Sequence, residues 1–376
     1  MRALFITISN PFGIGGGDYA THAYLAAISE ICNGNVDVFL REGITIDDSI
    51  KANFFCVPQR SLLSRITSIF NGQLHRNVKD VRKRLAQGVK YDFCVFNSSR
   101  VTTGLIEQVK SLGIKIITIH HNVDREYILG NTPNLLRRVL LASLVVKAER
   151  NAYLLSDCNL FLTQQDMQAF HRYYGECKTS EHLLGVFEFK ELPEWHHKEA
   201  DISQLTFAIT GSLDQMQGID GVRHFLLELY QYLPQGAKLI VSGKNPTQEI
   251  IKLCSCHNNI ELIANPDNMD EVINNADIYI CPTRLGGGLK LRIMDGLRLG
   301  LPVISHTCSA RGYDAFIACG GLTAYTTNEE FAASMALLLQ KIKAGTINRS
   351  VIRQNYEEIF SYSTGVAKMK SIIESV

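Results

Sequence analysis

Short apolar runs recur along the chain at intervals that leave room for a helix between them, and glycine, proline or asparagine punctuates most of the junctions. Residues 2–9 (RALFITIS) read as a strand, residues 10–17 (NPFGIGGG) as a glycine-rich turn and residues 18–32 as an alanine-rich helix. Further strands are expected at 36–40, 53–57, 91–96, 115–119 and 159–163. The alternation fades over residues 188–204, a polar stretch holding Pro193, the adjacent His196 and His197, and the only tryptophan, which read as a linker with surface histidines. A second series follows: strand 205–210, helix 218–233, strand 238–242, strand 259–263, strand 277–281, helix 290–299 and strand 301–305. Residues 350–376 have a helical pattern and are expected to pack back across the hinge.

Strands alternating with helices imply mostly parallel, doubly wound sheets, whose ligands bind beyond the carboxyl ends of the strands. The expected fold class is therefore α/β, with two Rossmann-like domains facing each other across a cleft. Residues 1–187 form the first domain, 188–204 the linker, 205–349 the second domain and 350–376 the closing helix.

A chain of 376 residues suits two domains. Its net charge of +1 argues against a nucleic-acid binder, which needs a basic surplus to hold phosphates. Charge is nonetheless uneven, since Arg60, Arg65, Arg76, Lys79, Arg82, Lys83, Arg84 and Lys90 face the single acid Asp80 across residues 60–90. That run reads as a solvated helix face, with an anionic partner or membrane surface as the alternative. Residues 135–155 combine a thick apolar face with Arg137, Arg138, Lys147 and Arg150, and core packing is the simpler account of them. Should the two segments share a face, contact with a membrane surface would fit both.

Of the ten cysteines, Cys56, Cys94, Cys158 and Cys281 fall in apolar runs and are expected to act as small buried hydrophobes in a reducing compartment. Cys254 and Cys256 lack a second pair at zinc spacing and read as structural. The N-terminal apolar stretch ends at Asn10-Pro11 without a signal-peptide pattern, and no run nears the roughly 18 apolar residues of a membrane span. A cytoplasmic protein, or one at the inner face of a membrane, is expected.

The most informative stretch is residues 281–305, CPTRLGGGLKLRIMDGLRLGLPVIS. A buried strand stops at Pro282, Gly286, Gly287 and Gly288 open a loop, and a helix follows before Gly300. Glycines before a helix let a ligand approach the backbone, and the free N–H groups there favour an anion. Lys290 and Arg292 add full positive charge. Gly211 and Ser212 end one strand and Gly243-Lys244 another, so a nucleotide diphosphate would lie across these neighbouring loops with its phosphates at Gly288 and Lys290. Asp295, about one and a half turns into the helix, suits ribose hydroxyls. The plainer reading is a βαβ turn with solvated charges.

The span GGGLKLRIMDGLRLGLPVIS resembles the signature of retaining GT-B glycosyltransferases of the large family 4, in the bacterial branch carrying G-x-G-x-K-x-[KR], an acidic residue and G-x-P-V. FAITGSL, LIVSGK, HHNVDREY and the first glycine loop extend the likeness over nearly the whole chain. It implies transfer of a sugar from a nucleotide-sugar donor, held by the second domain, to a glycan or lipid-linked acceptor at the first. Lys290 and Arg292 match the cations that neutralise the departing diphosphate, Asp295 the acid that contacts ribose, and His121 a histidine facing the donor sugar, with His120 as its competitor. Gly287 stands where the family has a sugar-contacting glutamate, so backbone N–H groups of Gly287, Gly288 and Leu289 would serve the sugar and phosphate. The residues after Gly211 read SLDQMQG, without the family's lysine, which leaves Lys244 or Arg284 to add charge. Gly16 and Gly17 would let the first loop approach the diphosphate or acceptor.

No Asp-x-Asp pair stands at a strand end, so a metal-independent reaction without a cofactor is expected. Two other readings stay open. Gly15, Gly17 and Ala20 fit the G-x-G-x-x-A dinucleotide turn of an NAD-dependent oxidoreductase. A non-catalytic nucleotide-binding protein on the same scaffold is the other.

Overall fold

The computed structural model describes residues 1–59, 61–131, 135–190, 192 and 204–376. Most of the expected linker, with Pro193, His196 and His197, lies outside the described residues, as do Arg60 and the side chains of Arg137 and Arg138. The chain divides into one unit of Met1–Glu191 with Phe360–Val376, and a second of Leu192–Ile359.

Among the described residues of the first unit seven parallel strands, β1 (Ala3–Ile6), β2 (Val36–Arg41), β3 (Asn53–Val57), β4 (Phe93–Phe96), β5 (Lys115–His120), β6 (Cys158–Phe161) and β7 (Ser180–Leu183), lie in the order β3-β2-β1-β4-β5-β6-β7. β1, β4 and β6 are buried along their whole length, because helices cover both faces of a parallel sheet and select near-continuous apolar runs. The order reverses between β1 and β4, which opens a crevice at their carboxyl ends.

The second unit repeats the plan with β8 (Thr206–Ser212), β9 (Lys238–Lys244), β10 (Ile260–Ala264), β11 (Ile278–Cys281), β12 (Val303–His306) and β13 (Leu322–Tyr325), in the order β10-β9-β8-β11-β12-β13. Its reversal falls between β8 and β11. Phe207, Ile209, Leu239, Val241, Ile278 and Ile280 from the central strands form a core with Phe225, Leu229 and Phe331. Each such side chain, fully buried, contributes roughly 1.5–3 kcal/mol of transfer free energy.

Several expectations change in detail. β7 and β13 are edge strands whose sequences, SEHL and LTAY, are too polar or short to read as strands. The helix expected at 290–299 is the seven-residue Leu291–Leu297. The helix expected at 218–233 starts at Met216, runs to His224 and then widens into a π-turn over Phe225–Leu229. The closing helix is two, Arg349–Phe360 and Tyr362–Ser375, broken where the Ser361 hydroxyl caps the second by accepting from Thr364 N–H. Only the second belongs to the first unit, where Tyr362 Oη donates to Glu30 Oε2 at 2.9 Å and Gly365 packs under the Phe187 ring. Cys94, Cys158 and Cys281 are buried as expected, but Cys56 is exposed because β3 is an edge strand; all ten cysteines are free.

In the basic segment Arg84 pairs with the fully buried Asp37 at 2.9 Å and Arg82 donates to the Gly104 carbonyl at 2.7 Å, so both are committed to the fold. Along Leu135–Leu155, Val145, Ala148, Glu149, Ala152 and Tyr153 face the core while Lys147 and Arg150 are exposed. No helix among the described residues is long and apolar enough to cross a membrane.

Candidate functional site

The stretch after β11 is held from behind by the segment that follows β12. Tyr313 Oη donates to the Lys290 carbonyl at 2.8 Å, Ser309 Oγ to the Thr283 carbonyl at 2.7 Å and Cys308 Sγ to the Gly286 carbonyl at 3.2 Å. Gly286 and Gly288 adopt positive φ of 93° and 65°, a region that favours glycine, which is how the loop turns back to present Lys290.

Residues 281–305 contain four cations, and their partners sort them. Arg284 is ion-paired with Asp220 at 3.0 Å, and Arg298 with Asp270 at 2.5 Å and Asp295 at 3.0 Å. Lys290 and Arg292 have no carboxylate partner among the described residues. Lys290 Nζ donates instead to Gln217 Oε1 at 3.1 Å and the Gly287 carbonyl at 3.3 Å, and Arg292 Nη1 to Thr283 Oγ1 at 3.2 Å. Burial holds the Lys290 pKa below its usual value, and among the described residues no carboxylate is near enough to restore it. A partly buried cation with only neutral acceptors retains a strong preference for an anion.

The two cations meet the switch-point loop. A Cβ on Gly211 would lie 2.5 Å from Arg292 Cζ, one on Gly218 would lie 3.5 Å from Arg292 Nη2, and one on Gly286 would lie 2.5 Å from Lys290 Nζ. Gly211, Gly286, Lys290 and Arg292 are thus brought together, with Gly287 joined through its carbonyl. Gly288 and Leu289 continue the same loop, and their N–H groups belong to the chain leading into a helix too short to carry much dipole. The charge comes from the two side chains. Asp295, one turn further on, is held by Arg298, whose Nη2 donates to Oδ1 at 3.0 Å. Ser212 and Lys244 end β8 and β9 side by side, and the Lys244 carbonyl accepts from Leu213 N–H at 2.8 Å.

The first unit gathers a second group of expected residues. His121 follows β5 and its Nε2 donates to Asn97 Oδ1 at 2.7 Å; Asn97 Nδ2 donates to Thr21 Oγ1 at 2.8 Å, and Thr21 Oγ1 to the Gly17 carbonyl at 2.7 Å. This chain ties His121 to the first turn of the helix Gly16–Ile31, which starts two residues earlier than expected and so takes Gly16 and Gly17 out of the turn before it. Because Asn97 spends its N–H groups on Thr21 and Thr7, its oxygen fixes the proton of His121 on Nε2 and leaves the lone pair on Nδ1. Burial lowers the His121 pKa to about 4, so the ring is neutral at pH 7. His120, the competitor, is a core residue of β5, stacked on Phe161 and bonded to Asn159 Oδ1 at 2.9 Å.

The glycine turn itself is occupied by an acid. Asp18 accepts from Asn10 N–H at 3.0 Å and Gly15 N–H at 3.2 Å. A carboxylate at the place where a dinucleotide's pyrophosphate would sit repels it. Among the described residues no three His, Cys, Asp or Glu side chains gather as metal ligands.

Gln217, Thr283 and Asn97 join the site without having stood out in the sequence. The glutamine is visible in SLDQMQG only as the absence of a lysine; nothing local marks the other two.

Residues 204–341 match the family described as Glycosyl transferases group 1. No curated protein matches the chain. Among solved structures, the chain is similar to sucrose-phosphate synthase from Thermosynechococcus elongatus, at 13% identity and a TM-score of 0.73 over 100% of this chain and 98% of that one. It is also similar to HepE from Anabaena in complex with UDP, at 12% identity and 0.69, and to WaaG, a glycosyltransferase involved in lipopolysaccharide biosynthesis, at 16% and 0.64, each over 100% of both chains. Both sheets and their order are those of the GT-B fold.

Proposed function

We propose that the protein is a retaining, metal-independent glycosyltransferase of the hexosyltransferase type, moving a sugar from a nucleotide-sugar donor to a glycan or lipid-linked acceptor in surface polysaccharide assembly. The observation that carries this reading is the pair Lys290 and Arg292, two cations at the switch point of the second sheet without a carboxylate partner among the described residues. The match of residues 204–341 and the UDP and UDP-glucose bound by HepE support it.

In this reading the donor's diphosphate lies against Lys290 and Arg292. Negative charge grows on the diphosphate as the bond to the sugar breaks, so cations fixed beforehand stabilise the transition state more than the bound donor. A unit charge about 4 Å from a phosphate oxygen, at an effective dielectric near 20, interacts by about 4 kcal/mol before desolvation. Asp295 accepts the ribose hydroxyls, the N–H groups of Gly287, Gly288 and Leu289 bind sugar and phosphate, and neutral His121 offers Nδ1 to a sugar hydroxyl. Retention places attack and departure on one face of the sugar, with no protein nucleophile. The acceptor belongs to the first unit. The working place is the cytoplasm, at the inner face of the membrane when the acceptor is lipid-linked.

A thermal-shift panel tests this. A nucleoside diphosphate and its sugar conjugate should raise the melting temperature and NAD should not, with slow hydrolysis of the bound conjugate separating an enzyme from a binder. Stabilisation by NAD alone would sink the reading.

A further inference from the structure

The amide of Gln217 belongs to the anion site although the motif around Lys290 does not contain it. It stands in the first turn of the helix Met216–His224 and reaches the ammonium of a residue 73 positions away. An ammonium carries only donors, so whatever faces it must present an acceptor. A carboxylate would do so and cancel the charge; an amide does so and leaves the charge intact. Position 286 closes the cradle, since a Cβ there would lie 2.4 Å from Gln217 Nε2 and 2.5 Å from Lys290 Nζ. The next residue, Gly218, lets the same turn approach Arg292 and the Ser212 carbonyl.

We propose that Gln217 is a positioning residue for Lys290, a neutral acceptor that aims the ammonium at the leaving diphosphate without neutralising it; this rests on the transfer reading above. A glutamate at 217 forms an ion pair that competes with the diphosphate for the same ammonium. An apolar side chain of equal size leaves Lys290 the Gly287 carbonyl as its one acceptor among the described residues, so the ammonium is less well aimed and one more of its three donors goes unpaired.

The test is calorimetric titration of UDP and of inorganic pyrophosphate into the full chain and into Gln217→Glu, Gln217→Met and Lys290→Met, with the melting temperature of each. Wild type should bind pyrophosphate and Lys290→Met should lose it. Gln217→Glu should bind it at least about tenfold more weakly while melting no lower than wild type, because the new pair stabilises the free protein; Gln217→Met should fall between. A purely structural role would instead lower binding and melting together in Gln217→Glu, and that result, or equal affinity of Gln217→Glu and wild type, would overturn the proposal while leaving the transfer reading intact. Failure of wild type to bind either probe would count against the transfer reading itself.

Discussion

Arg292 occupies the space that a side chain at position 211 would need. A Cβ on Gly211 would lie 2.5 Å from Arg292 Cζ and 2.7 Å from Nε, so the end of β8 and the first turn after the Gly286–Gly288 loop are in contact through a guanidinium. The bare backbone at 211 is what lets one cation of the anion site sit over the sheet's switch point.

Gly211→Ala should therefore displace Arg292 rather than merely crowd it. Pyrophosphate affinity, read by calorimetry, should fall by about tenfold, the loss expected for one charge-assisted contact. Unchanged affinity would mean that Arg292 does not need its present place.

Lys290→Met keeps the stem that packs in the loop and removes the charge. If about 2.7 kcal/mol of its interaction is made only as the leaving group departs, turnover should drop roughly a hundredfold. Circular dichroism and melting should match wild type, and near-normal turnover would remove Lys290 from the mechanism.

Asp295→Asn separates ribose from phosphate. Arg298 keeps its pair with Asp270 at 2.5 Å, so the helix should stay in place. UDP should bind about tenfold more weakly while pyrophosphate binding is unchanged. Equal losses for both probes would place Asp295 in the phosphate site instead.

His121 should act as a neutral ring. Its folded pKa of about 4 lies below the usual 6.5, so its contribution to stability is present above about 6.5 and is lost as pH falls toward 4. Turnover should carry no inflection near 6.5 from this group, and His121→Phe should lower turnover by about ten- to a hundredfold without reshaping the profile. An inflection near 6.5 that disappears in the variant would contradict the neutral assignment.

Glu149 gives the opposite sign. It is wholly buried, accepts from Asp124 N–H at 2.5 Å and Tyr174 Oη at 2.6 Å, and burial raises its pKa from 4.5 to about 7. Its contribution is full below about 4.5 and is lost as pH rises through about 7, by up to about 3 kcal/mol. Glu149→Gln keeps the acceptor for Asp124 and removes the titration. The variant should lose less stability than wild type between pH 5 and 8 in urea unfolding, and parallel curves would refute the shift.

The sequence by itself determined the sheets. Buried strands of a parallel sheet are covered on both faces, so ALFI, FCVF and IYIC announce themselves, and the glycines and cations after IYIC mark an anion site before any packing is known. Of the edge strands, β3 and β10 are legible from their own apolar runs, whereas β7 and β13 escape because one side faces solvent and the apolar run is broken or short. The break at Ser361 hides inside a continuous helical pattern, because one hydroxyl cap decides it.

Only the tertiary structure decided which charges are left over. Arg284, Lys290, Arg292 and Arg298 look alike along the chain, yet Asp220, 64 positions away, quenches the first, and Asp270 the last, while Gln217 leaves Lys290 charged. His120 and His121 are neighbours, but strand alternation sends one into the core and the turn after β5 brings the other to Asn97. Local pattern fixes where a side chain sits on its own element; whether its charge is cancelled depends on residues that only folding brings within 3 or 4 Å, and that distance sets what the site can bind.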